Sequence, residues 1–62
     1  MVVDKLKNIG AEMKKYRVVR EMKQITFGRE LGVSGKAISS YETGRASPTL
    51  KTIIKFLENN NG

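Results

Sequence analysis

The stretch that most limits how this chain can fold is residues 24–44, QITFGRELGVSGKAISSYETG. Phe27 and Leu31 stand one helical turn apart, and Ala37, Ile38 and Tyr41 recur at helical spacing on the other side of Gly32-Val33-Ser34. Gly32 can take the positive φ that stops a helix, and the hydroxyl of Ser34 can cap the next one. The spacing therefore predicts two short helices, residues 24–31 and 35–42, meeting across a tight turn, with Gly44 closing the second. Gly28 places a residue without a side chain where the two helices come closest. Phe27, Leu31, Val33, Ile38 and Tyr41 supply apolar anchors, whereas Gly35 weakens the start of its helix slightly.

Two further helices frame this pair. Residues 4–22 lack Pro and contain a single Gly, Gly10, so they read as one helix capped by Asp4, with Leu6, Ile9, Met13 and Tyr16 on its buried stripe. Val18 lies roughly opposite that stripe. After the loop Arg45-Ala46-Ser47-Pro48, either Ser47 or Thr49 can cap a last helix, whose expected apolar stripe is Leu50, Ile53, Ile54 and Leu57. Phe56 falls off that stripe and is expected at the surface, with self-association as its alternative role. Residues 59–62, three Asn and a Gly, read as a frayed polar tail or the start of a linker, so the domain is placed at residues 1–58. A chain of 62 residues makes one domain, and so small a core leaves its stability marginal unless something, such as a second copy, supports it.

Charge narrows the partner. Twelve Lys and Arg against six Asp and Glu give a formal charge of +6 and a pI near 10, which favours a polyanion. The chain has no Cys and no His, which excludes thiolate and imidazole metal sites and imidazole-assisted nucleophiles. Its carboxylates are scattered, so no acid/base pair suggests itself. Gly35-Lys36 fails as a phosphate-binding loop, because that motif needs Gly where Glu30 stands and Ser or Thr where Ala37 stands. The reading is therefore of a non-enzyme with no cofactor, no metal and no evident small-molecule substrate. No apolar run of membrane-spanning length and no secretion signal is present in the sequence, so no membrane partner and a cytoplasmic location are expected.

Two short helices across such a turn form a helix-turn-helix. The fragments IGAEMKKYR, LGVS, AIS, YETG and SPTL occur in register, with Gln24 at the start of the second helix. Together they resemble the phage repressor and Cro family of helix-turn-helix transcriptional regulators from about Ile9 to Leu57. The resemblance implies an all-α fold, a compact bundle of four or possibly five helices, and a third helix that enters the DNA major groove. The chain departs from the family where Gly28 replaces the usual Ala, Glu21 the usual Gly and Lys23 the usual capping Ser or Thr. These changes are expected to loosen the first connection and the second helix.

The same resemblance implies the roles of individual residues. Gly35, Lys36, Ser39 and Ser40 would face base edges, with Lys36 the one long side chain, suited to the O6 and N7 acceptors of guanine. Lys23, Gln24, Thr43 and Arg45 would contact phosphates, Gln24 with help from the positive end of its helix. Arg17 and Glu42 would form a structural ion pair tying the first helix to the end of the third. Val18 and Ile25 are apolar where the family is generally polar. The implied partner is double-stranded DNA, bound by a homodimer on a roughly palindromic operator to repress transcription. Two alternatives stand beside it: a protein-interaction module of antitoxin or anti-repressor type, and the DNA-binding module of a longer regulator.

Overall fold

The computed structural model describes residues 9–61, and over that range the chain is all-helical. Four helices follow one another: α1 Ile9–Val19, α2 Gln24–Leu31, α3 Gly35–Glu42 and α4 Leu50–Asn61. Asp4 and Leu6, the expected cap and first apolar contact of α1, lie outside the described residues.

The first helix ends earlier than the pattern of residues 4–22 predicts. Its stop is a Schellman turn, in which the Glu21 N–H donates to Val18 O and the Met22 N–H donates to Arg17 O, each at 3.0 Å. Glu21 occupies the left-handed position at φ 54° without the steric freedom of glycine, an arrangement that costs roughly 1–2 kcal/mol. Two later helices close in the same way around glycines. Gly32 (φ 75°) ends α2, with Val33 N–H on Gly28 O at 2.8 Å, and Gly44 (φ 78°) ends α3, with Arg45 N–H on Ser40 O at 2.9 Å. The connection after α1 is thus well formed despite its Glu. Ser34 caps α3, its hydroxyl accepting from the Ala37 N–H at 3.0 Å, while Lys23 at the start of α2 gives no side-chain cap.

The core is Met13 from α1, Phe27 and Leu31 from α2, Ile38 from α3 and Phe56 from α4, with Ile9, Tyr16, Met22, Val33 and Tyr41 packed around it. Phe56 is therefore a central core residue, which corrects its expected place at the surface. It meets Tyr16 edge-on at a centroid distance of 5.4 Å and Phe27 at 6.0 Å, and Tyr16 in turn meets Phe27 at 5.5 Å. Such aromatic contacts add to the area that the rings bury.

Docking Phe56 rotates α4 away from the orientation its aliphatic stripe predicts. Thr52, one turn earlier, is buried with it, and its hydroxyl is satisfied by Thr49 Oγ1 at 3.0 Å. Thr49 Oγ1 also accepts from the Thr52 N–H at 3.2 Å, so Thr49 is the cap of this helix. Ile53 is half-buried, whereas Leu50 is 71% exposed and Ile54 and Leu57 are also exposed. The last helix continues through Asn61, so Asn59–61 extend α4 by a turn where the sequence suggests a polar tail.

Candidate nucleic-acid interface

Two close approaches set the geometry of α2 against α3. A Cβ added to Gly28 would fall 2.6 Å from Val33 O, and one added to Gly35 would fall 3.0 Å from Ile25 Cα. The chain after α2 thus crosses directly over Gly28, and the start of α3 lies against the start of α2. A third approach was not apparent from the sequence. A Cβ on Gly10 would come 2.0 Å from Tyr41 O, so the N-terminal end of α1 rests on the backbone at the end of α3. The lone glycine in an otherwise helix-favouring segment was the available signal.

The α1–α3 contact is locked by charge. Arg17 Nε donates to Glu42 Oε2 at 2.7 Å and Arg17 Nη2 donates to Oε1 at 3.0 Å, a bidentate pair whose side chains are only 15% and 3% exposed. The remaining arm of the guanidinium, Nη1, donates to Met22 O at 2.8 Å and so fixes the connection to α2 as well. Gln24 Nε2 donates to Glu42 Oε1 at 3.2 Å. One carboxylate therefore joins α1, α2 and α3. Burial pushes the Glu42 carboxyl up, but the hydrogen bonds from Arg17 and Gln24 and the positive charges of Arg17 and Lys14 outweigh it, leaving the pKa below its ordinary value. The hydrogen bond to Glu42 raises the Arg17 pKa against the effect of desolvation, and the carboxylate charge adds to the rise.

The residues singled out from the sequence fall into three groups. Lys36, on the first turn of α3, Lys23, just before α2, and Arg45, just past Gly44, are all exposed. Gln24, Ser39 and Ser40 are half-buried, and the Gln24 amide is engaged by Glu42. Gly35 and Thr43 offer less than their positions suggest. The direction of a side chain at residue 35 runs into Ile25, and the Thr43 hydroxyl already donates to Ser39 O at 2.9 Å with Ser40 O at 3.3 Å. A hydroxyl has one proton to donate, so in this arrangement Thr43 has none left for a phosphate.

Exposed Lys23 and Lys36 stand at the starts of α2 and α3, of which only α2 lacks a side-chain cap, and exposed Arg45 follows the end of α3; such groups suit phosphates and base edges. The carboxylate at the end of α3, Glu42, is paired with Arg17, which offsets its repulsion toward an anion. Among the described residues no helix is long and apolar enough to cross a membrane.

Two short helices joined by residues 32–34, braced by a helix on either side, define a helix-turn-helix domain. The chain belongs to the helix-turn-helix family, whose model matches residues 13–61. It is 36% identical over 50 residues to an uncharacterized HTH-type transcriptional regulator of Archaeoglobus fulgidus. That match covers 81% of this chain but only 22% of the relative's length. No solved structure matches it significantly.

Proposed function

We propose that this protein is a sequence-specific double-stranded DNA-binding regulator that acts as a homodimer on a roughly palindromic operator and represses transcription by occupying it. The observation that carries the reading is the exposed Lys36 on the first turn of α3, at the end that packs against the start of α2, with Lys23 before α2 and Arg45 past the end of α3 also exposed. An α-helix fits the major groove, and two copies would place their third helices about 34 Å apart, one turn along the same face of the duplex. Lys36 reads acceptors on a base, Arg45 and Lys23 hold phosphates, and Arg17 with Glu42 keeps the scaffold rigid. Occupancy alone blocks polymerase, so no catalysis is involved and the site of action is the cytoplasm, where the DNA lies.

Self-association is favoured by a groove of about 460 Å³ between α1 and α4. Val19 (70% exposed), Ile53 and Leu57 line it, and Glu12, Lys15 and Arg20 stand along it. Leu50 and Ile54 extend its apolar character along α4. A second copy related by a twofold axis could cover these side chains and set Glu12 against the partner's basic groups. The match to a fraction of the A. fulgidus regulator favours the domain serving as the DNA-binding module of a longer protein.

A second reading rests on how little the reading face offers. Gly35 has no side chain, and Ser39 and Ser40 are half-buried. So sparse a surface suits a protein-interaction module of antitoxin or anti-repressor type. Selection of bound sites from random duplexes separates the two. The regulator reading expects one recovered motif with dyad symmetry, bound at least a thousandfold more tightly than random DNA. Recovery of no motif overturns it in favour of the second reading.

A further inference from the structure

Gly35 opens the reading helix, and a side chain there would point into α2. The space that such a side chain would enter is occupied by Ile25: a Cβ at residue 35 would lie 3.0 Å from Ile25 Cα, 3.1 Å from its N and 3.3 Å from its Cβ. A Cβ there would press α2 and α3 apart by a few tenths of an ångström at their starts. Ile25 is the second residue of α2, and its side chain remains 55% exposed beside the first turn of α3. A branched apolar side chain left in water at a helix start gains little for folding and restricts its own rotamers.

We propose that Ile25 is a specificity-determining residue, which packs against the 5-methyl group of a thymine in the major groove while Lys36, next to Gly35, takes the acceptors of a nearby base. This rests on the operator reading above. The 5-methyl of thymine is the apolar group that the major groove presents, and apolar side chains recognise it by contact alone. The close packing of Gly35 on Ile25 thus sets an exposed apolar side chain of α2 beside the first turn of α3. Because Ile25 is held by backbone-to-backbone packing, its position relative to Lys36 is fixed before DNA binds.

The test uses the duplex that the wild-type protein selects, with each thymine replaced in turn by deoxyuridine, which lacks only the 5-methyl. One thymine in each half-site should lose about fourfold in affinity on replacement, the effect of withdrawing one buried methyl group. The Ile25→Ala protein, whose helicity is checked by circular dichroism, should be indifferent to that replacement, and Ile25→Val should keep part of the sensitivity. If wild-type binding is unchanged by every replacement, or if the loss persists undiminished in Ile25→Ala, the assignment of Ile25 is overturned while the operator reading stands. Failure of the wild type to select any sequence overturns the operator reading, and this inference with it.

Discussion

Replacing Glu42 with Gln keeps the shape of the side chain and removes its charge at the point where three helices meet. Oε2 accepts from Arg17 Nε, and Oε1 accepts from both Arg17 Nη2 and Gln24 Nε2. Whichever way the new amide is turned, its NH2 faces at least one N–H donor, so a hydrogen bond is lost and a largely buried guanidinium is left without its counter-charge. Removing one partner of a buried pair costs about 3–5 kcal/mol, and the partial exposure of Arg17 places the expected loss near the lower end, about 3 kcal/mol. A domain of 62 residues has roughly 3–9 kcal/mol in total, so a third or more of its stability is at stake. At about 4–8 °C per kcal/mol for a domain of this size, the Tm should fall by about 12–24 °C. Thermal and urea unfolding followed by circular dichroism measure the change. An apolar double substitution, Arg17→Met with Glu42→Leu, should recover most of the loss, because neither charge is then stranded. A loss below about 1 kcal/mol for Glu42→Gln, the value of an exposed pair, would refute the view that this carboxylate holds the helices together.

The same group gives the stability its acid limb. The folded pKa of Glu42 is lowered, so its contribution is fully present above the unfolded carboxylate value near about 4 and is lost as pH falls through the folded value. Urea titrations between about pH 6 and pH 3 should show the wild type losing stability more steeply than Glu42→Gln, and parallel curves would contradict this. Glu21→Gly should raise stability by up to about 1 kcal/mol, since relief of the left-handed strain exceeds the added freedom of the unfolded chain, and a lower Tm would contradict it. Gly10→Ala should cost about 1–3 kcal/mol in urea unfolding despite the better helix propensity of Ala, because its Cβ meets the Tyr41 carbonyl. In DNA titrations Lys36→Ala should relax preference at one base pair by about 1–3 kcal/mol, whereas Arg45→Ala should weaken all sequences alike and reduce the salt slope by about one; equal losses on operator and random DNA for both would reject that division.

What the sequence made legible follows from how local each signal is. Gly32 and Ser34 act within one turn of themselves, so the turn and the starts and ends of α2 and α3 fall where the pattern puts them. The end of α1 was obscured because a Glu holds the left-handed position that glycine usually marks. The rotation of α4 was hidden for another reason: Leu50, Ile53, Ile54 and Leu57 form the better aliphatic stripe, but the contacting rings of Tyr16 and Phe27 accept a third ring edge-on, and Phe56 supplies it. Thr52 could be buried only because Thr49 satisfies its hydroxyl, a pairing that no hydropathy pattern reveals. At the interface, the exposure of Lys23, Lys36 and Arg45 agrees with simple helix geometry. The engagement of the Gln24 amide by Glu42 and the closure of Gly35 onto Ile25 depend on contacts between helices, which composition and spacing do not encode.

The most direct measurement is amide chemical-shift mapping by NMR during titration with the selected duplex. Largest shifts at Gln24 and Ile25, across Ser34, Gly35 and Lys36, and at Thr43 to Arg45 are predicted, with the groove between α1 and α4 little changed by DNA once the protein is dimeric. Shifts confined to that groove, or none along the first turn of α3, would contradict the claim that α3 is the element offered to DNA.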